Sequence, residues 1–167
     1  ALMLEHTAGR KHGNLNGPMG FSQYQTILEV GTRGRALYEI TSEVSQELRR
    51  SGLDEGMLHL MVRHTSASLL IQENADPDVR VDLERFFSRL CPDGDALYTH
   101  TMEGPDDMPA HVRSALTAVQ LSVPFSNRSM LLGTWQGIYL WEHRTAPHRR
   151  QIVLHAQGVT QASRRSV

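Results

Sequence analysis

Three histidines stand where the chain passes from one pattern to another. His64 closes an alternating apolar run, His100 follows Tyr98-Thr99 in an irregular stretch, and His111 falls in the first turn of a helix opened by Asp107-Met108-Pro109. Element ends are where a rigid scaffold can aim side chains into one pocket. Three neutral imidazoles with one open position would make a catalytic-type site for zinc or another transition metal. The positions 64, 100 and 111 do not form a short local signature such as two histidines one helical turn apart. A second reading therefore stays open, in which each imidazole is a hydrogen-bonded residue in a partly buried position.

Polar residues are dense around them: Arg63-His64-Thr65-Ser66-Ala67-Ser68, then Glu73-Asn74, then Glu103 to Asp107. Thr65, Ser66 and Ser68 could donate to phosphate oxygens together with backbone N–H groups, and equally suit a turn between strands. Asp106 and Asp107 suit a metal site and equally suit helix N-caps. Glu73 lies just ahead of a helix start at Asp76-Pro77. In Gly133-Thr134-Trp135-Gln136-Gly137, Trp135 could stack on a heteroaromatic ligand and Gln136 could read its polar edge, with a core tryptophan as the alternative. Glu142, on a partly apolar strand face, requires an arginine or a metal as partner. Cys91 carries no signal of an activated thiolate. No nucleophile elbow, Walker loop or dinucleotide fingerprint is present, so covalent catalysis and ordinary nucleotide binding lose ground.

The elements that must position these groups follow from periodicity. Tyr24, Thr26, Leu28 and Val30 alternate with polar residues as a strand, and Thr32-Arg33-Gly34 predicts a hairpin into residues 36–40. Thr41 and Ser42 can cap a short helix carrying Val44 and Leu48, closed by Gly52. Strands are expected over 57–64, with Leu58, Leu60, Val62 and His64 on one face, and over 67–72. Asp76-Pro77 opens a helix with Val79, Leu83, Phe87 and Leu90 on its apolar side. A further helix near residue 107 is expected to bury Val112, Ala115, Leu116 and Val119. Strands at 121–125, 130–132, 134–144 and 150–157 follow, joined by loops of hairpin length, with Trp135, Tyr139, Trp141 and His143 as one aromatic face. Strands at both ends with helices between predict an α+β fold on a largely antiparallel sheet.

Composition sets the outer bounds. The 167 residues, 40% apolar with a formal charge of −1, describe one globular domain with no strongly basic field, which sets nucleic acid aside as a main partner. A single cysteine excludes an intrachain disulfide. No apolar run approaches the roughly 18 residues of a membrane helix, and the expectation is a soluble, cytoplasmic protein. Residues 1–20 read as a flexible arm, 21–160 as the domain and 161–167 as a tail; His6 and His12 are set aside with the arm.

Taken in order, His64-Thr-Ser-Ala-Ser, Glu73-Asn-x-Asp-Pro77-x-Val79, Tyr98-x-His100, Gly104-Pro-Asp-Asp-Met-Pro-Ala-His111 and Leu132-Gly-Thr-Trp-Gln-Gly-Ile-Tyr-Leu-Trp-Glu142-His143 resemble the YjbQ family, also called the secondary thiamine-phosphate synthase family. The resemblance runs from about residue 21 to 158. It implies a compact α+β subunit with a two-layer antiparallel arrangement, assembled as a homotrimer with pockets near subunit boundaries. It also implies that His64, His100 and His111 converge on a divalent metal, zinc or, with a diphosphate substrate, magnesium.

The implied activity joins a pyrimidine diphosphate to a thiazole phosphate and releases pyrophosphate. On that reading Arg63, Thr65 and Ser66 hold phosphate, Trp135 and Gln136 hold the pyrimidine, and Glu73, Asp107 and Glu142 are the catalytic carboxylates. The thiazole nitrogen is already nucleophilic, so positioning outweighs general-base chemistry. Two alternatives want the same pocket: a metal-assisted phosphate-ester hydrolase with Glu73 or Glu142 as base, and a non-catalytic trimeric metal- or metabolite-binding protein.

Overall fold

The computed structural model describes residues 20–160, so the arm up to residue 19 and the tail from 161 lie outside the described residues. Eleven elements follow in the order β1 (Phe21–Gly31), β2 (Ala36–Glu39), α1 (Thr41–Ser51), β3 (Glu55–Val62), β4 (Ala67–Glu73), α2 (Pro77–Leu90), α3 (Asp107–Leu116), β5 (Gln120–Ser126), β6 (Ser129–Met130), β7 (Gln136–Glu142) and β8 (Arg149–Val159). The strands form a five-stranded sheet, β1-β8-β3-β5-β6, and a three-stranded sheet, β2-β7-β4. Every pairing is antiparallel. The α+β expectation therefore holds, as does the two-layer arrangement.

One apolar core draws on both sheets. Tyr24, Leu28 and Val30 of β1, Leu58, Leu60 and Val62 of β3 and Ile152, Leu154 and Ala156 of β8 meet Ala67 and Leu69 of β4 and Ile138 and Leu140 of β7. The strict alternation in β1, β3 and β8 is what a sheet with one buried face requires. β7 instead is buried continuously from Gly137 to Glu142, because its second face carries a smaller cluster of Leu37, Tyr139 and Trp141 covered by Leu83 and Phe87 of α2. Where β3 crosses β8, Gly56 stands opposite Gly158, and a Cβ on Gly56 would fall 2.0 Å from the Gln157 carbonyl oxygen.

Several local expectations give way to tertiary pairing. The segment after β1 does not return as a hairpin, since β2 pairs with β7 and β1 pairs along its whole length with β8. The link between β7 and β8 likewise crosses from one sheet to the other. The 126–128 turn does make a hairpin, with Asn127 and Arg128 both left-handed (φ 52° and 62°) as a tight antiparallel turn demands.

α1 ends at the left-handed Gly52, but its N-cap is Ile40, without a side-chain cap. The Thr41 hydroxyl instead accepts from the Ile138 N–H at 2.9 Å and donates to Glu39. Asp76 caps α2 through the Asp78 N–H at 2.9 Å, yet no residue of α2 is fully buried and Leu90 is 53% exposed. α3 is rotated from the expected stripe: Asp107, Pro109, Ala110, Arg113 and Ser114 face inward, while Leu116 and Val119 are exposed. Its inner face is polar because Arg113, fully buried, pairs with Glu84 of α2 at 2.7 Å and Asp107 pairs with Arg144. β7 starts only at Gln136. Gly133 to Trp135 form a turn, which removes Trp135 from the aromatic face. No helix among the described residues is long and apolar enough to cross a membrane.

Candidate metal centre

The first residue of α3 sets the site. Asp107 and His111 lie one turn apart on the same face of the helix, bringing His111 Nε2 to 3.2 Å from Asp107 Oδ2. His100 arrives from the irregular segment between α2 and α3, which folds back on itself through Gly94 N–H to the Pro105 carbonyl and Gly104 N–H to the Thr101 carbonyl. Its Nε2 reaches the same Asp107 Oδ2 at 2.9 Å. His100, Asp107 and His111 each offer one ligand atom, and these atoms all lie within 4.8 Å of one another. The carboxylate is buried while the His100 and His111 side chains stay 47% and 31% exposed, so the centre opens to solvent on the imidazole side.

The other Asp107 oxygen is held by Arg144 Nη1 at 2.5 Å. Arg144 also donates from Nε to Asp106 Oδ2 (3.1 Å) and from Nη2 to the Glu103 carbonyl (2.7 Å). Burial raises the Asp106 carboxyl, but hydrogen bonds from the Thr145 N–H, from Arg144 and from the Thr145 hydroxyl outweigh it and bring the group down to about 2. Two carboxylates thus face one guanidinium, leaving a local excess of negative charge that suits a cation.

The tautomer of His111 sharpens this. Its Nδ1 lies 3.1 Å from the Thr65 carbonyl oxygen, which can only accept, so Nδ1 carries a proton, and in the neutral ring Nε2 presents a lone pair. That lone pair faces the Asp107 carboxylate at 3.2 Å. Two electron-rich atoms at such a distance are stabilised by a cation or a proton between them. A backbone carbonyl on the far nitrogen is also the usual support of a metal-bound imidazole. The nitrogen, nitrogen and oxygen donors therefore fit a zinc-type centre with three protein ligands and an open position.

His64 is not brought to this centre. β3 ends at Val62, and the Gln151 N–H of β8 donates to His64 Nε2 at 2.8 Å, which takes the lone pair a metal would need. Burial, then Arg150, pushes its imidazole below the ordinary histidine value despite the opposing pull of Glu142. Ser66 is buried, and its hydroxyl accepts from Arg150 Nη2 at 2.9 Å instead of facing a ligand.

Glu142 is buried between the sheets against Arg150 Nε (2.8 Å), Arg150 Nη2, the Thr32 hydroxyl and the Arg144 N–H, so the partner it required is an arginine and not the metal. Glu73 and Gln136 pair at the opposite end of the β4–β7 ladder from Ala67 and Glu142, about 20 Å away at the rise of a strand. Trp135 stands beside them, 64% exposed, and Gln136 Oε1 accepts from the Gly133 N–H. Within one chain, Glu73, Trp135 and Gln136 are thus remote from the histidines. Arg63 and Thr65 do remain nearby, lining with His64 and His111 an open cavity of about 620 Å³ whose other walls include Met61, Ser114 and Val119. A larger groove, about 1360 Å³, follows α2 and contains none of the three histidines. Sequence patterning does not single out Arg144 or Gln151 as site residues; the local signal for Arg144 is a charge directly after the Glu142-His143 strand end.

Residues 26–159 match the family model described as UPF0047 protein YjbQ-like. A UPF0047 protein of Synechocystis is 49% identical over 138 residues, which cover 83% of this chain and 94% of that protein. The UPF0047 protein YjbQ of Salmonella typhimurium is 44% identical, covering 81% of this chain and 98% of its own length. A crystal structure of a yjbq/upf0047 family protein from Clostridium acetobutylicum superposes with a TM-score of 0.69 at 30% identity, over 77% of this chain and 98% of that one.

Proposed function

Because the chain belongs to the YjbQ (UPF0047) family, we propose that it is a metal-dependent enzyme of small phosphorylated metabolites, with a thiamine-phosphate-synthase type of transfer as its reaction. The observation that carries this reading is His111 Nε2 held toward the Asp107 carboxylate beside His100 Nε2, with His111 Nδ1 tied to a backbone carbonyl. A divalent cation bound there, zinc or magnesium, supplies charge neutralisation for a departing diphosphate.

In the transfer, the thiazole nitrogen forms a bond to the pyrimidine methylene carbon as the carbon–oxygen bond breaks, and pyrophosphate leaves with that electron pair. Asp107 and His111 fix the centre, Arg144 fixes Asp107, and Arg63 with Thr65 binds the phosphate in the adjoining cavity. Within one chain neither Glu73 nor Glu142 stands where it could deprotonate a water at the centre, which supports transfer to a ready nucleophile over hydrolysis by that chain's own bases. The reading includes a homotrimer, for which the apolar Phe86, Leu90, Leu97 and Met102, each at least half exposed, offer surface.

Protein purified without chelator or nickel affinity should carry about one equivalent of divalent metal per chain. Asp107→Ala and His111→Ala should each lose most of it. Equal metal content in the wild type and both variants would overturn the centre. Incubation with metal, pyrimidine diphosphate and thiazole phosphate should yield thiamine phosphate by mass spectrometry; no product at concentrations where both substrates bind would leave a metal- and phosphate-binding protein instead.

A further inference from the structure

We propose that His64 is a ligand-contacting hydrogen-bond donor, which with Arg63 reads an anionic group in the cavity beside the metal centre, while Met61 and Val119 receive an apolar body attached to that anion. The proposal rests on the functional reading above and gives its ligand a chemical class: a phosphorylated small molecule with an apolar part, in preference to free phosphate or a sugar phosphate.

β3 leaves the sheet after Val62. The Arg63 N–H still donates to the Gln151 carbonyl at 2.9 Å, continuing the ladder one residue past Val62. The next rung is not backbone to backbone, because the Gln151 N–H donates to the His64 ring at Nε2, 2.8 Å away. The imidazole has taken the place of a strand carbonyl, and a main-chain donor fixes both its orientation and its tautomer. With Nε2 accepting, the proton of the neutral ring sits on Nδ1. Both nitrogens are then committed, one as acceptor and the other as donor, and neither offers a lone pair to a metal.

The donor side is available. His64 is half-buried and lines the 620 Å³ cavity, and its hydrogen bond among the described residues is made at Nε2, not at Nδ1. Beside it, the exposed Arg63 side chain makes one long hydrogen bond among the described residues, from Nη1 to Gln151 Oε1 at 3.4 Å, and Gln151 is itself tied to Glu29 at 3.0 Å. A guanidinium so lightly held can turn to an anion with little loss, and an Arg plus a neutral N–H donor is a suitable pair for phosphate oxygens. The cavity is not polar throughout: Met61 is 53% exposed and Val119 39% exposed on its wall. Apolar surface left open beside a charged wall is what a ligand with both characters covers.

The probes are inorganic phosphate and phenyl phosphate, titrated calorimetrically into the full chain, both metal-loaded and chelator-treated. Wild type should bind phenyl phosphate more tightly than phosphate. His64→Ala should keep wild-type metal content and lose about tenfold or more in affinity for both probes, the scale of one hydrogen bond to a charged group. His64→Asn, whose amide nitrogen falls near the place of Nδ1, should recover most of that loss. Met61→Ser should abolish the preference for phenyl phosphate and leave phosphate binding intact.

Should His64→Ala fail to fold, Arg63→Ala carries the same test, with phosphate binding lost and metal retained. Loss of metal in His64→Ala or His64→Asn to the extent seen in His111→Ala would make His64 a ligand and overturn the proposal. Unchanged phosphate affinity in both His64→Ala and Arg63→Ala would overturn it as well. A wild type that holds no metal yet binds both probes with the stated preferences would sink the metal-dependent reading and leave this cavity standing.

Discussion

A carboxylate without solvent has to be satisfied by its neighbours, and Glu142 is satisfied by Arg150, Thr32 and the Arg144 N–H. Removing it in Glu142→Ala strands a buried guanidinium, so unfolding in urea should show a loss of about 3–5 kcal/mol; a change below about 1 kcal/mol would mean the pair is not needed by the fold. His143 is the converse case. It is fully buried, Nε2 meets the Ser68 hydroxyl at 2.8 Å, and burial followed by the charges of Arg113, Arg35 and Arg150 pushes the imidazole down to about 3. Its folded value lies below the ordinary one near 6.5, so the fold keeps the ring neutral, and the stabilisation present above that pH is lost as acid is added. Stability should fall from about pH 6.5 down to about pH 3 with a slope approaching 1.4 kcal/mol per pH unit from this one site. His143→Gln should flatten that slope in urea titrations repeated across the range, and an unchanged slope would place the acid sensitivity elsewhere. At this scale His100 and His111 were legible in the sequence because their places at element ends were. The commitment of His64 was not, since its partner is the main chain of a strand 87 residues away. Likewise, Asp107 could be read as cap or ligand until Arg144 and both imidazoles were seen on it.

Among the helices, α2 is the least embedded, and its attachments centre on Phe87 and Glu84. Phe87 meets Trp141 edge-on at 4.8 Å, and Glu84 accepts from both Arg113 (2.7 Å) and the Trp141 indole N–H (3.0 Å). Its neighbour Phe86 is 51% exposed. Phe87→Ala should therefore lower stability by about 2–4 kcal/mol and Phe86→Ala by less than about 1 kcal/mol in an isolated chain, compared by chemical denaturation. Equal losses would show that α2 packs by a different face. The apolar period of α2 was plain in the sequence, as were its cap and its proline. The inner stripe of α3 was not, because Arg113 and Asp107 lie inside while Leu116 lies outside. A hydrophobic pattern cannot find a face buried through ion pairs.

For the whole molecule, the α+β class and the antiparallel pairing followed from strand patterns at both ends of the chain, whereas the division into two sheets did not. Links 32–35 and 143–148 have the length of hairpins, and length alone does not say whether the next strand lies alongside or across the core. Assembly belongs to this scale too. Light scattering at micromolar concentration should give the mass of three chains, and Phe86→Glu with Leu90→Glu should reduce it; a monomer mass for the wild type would remove the trimer. The five-stranded sheet has one more consequence, in the order of its making. β8 lies between β1 and β3 and is hydrogen-bonded to both, so an interior strand of the sheet is the last described strand to leave the ribosome. Until it emerges, β1 and β3 have no shared partner and their inward leucines and valines have no layer to complete. β8 must therefore be made before the sheet can close, and until then the facing edges of β1 and β3 stay unpaired, the cost of building a sheet from strands far apart in the chain.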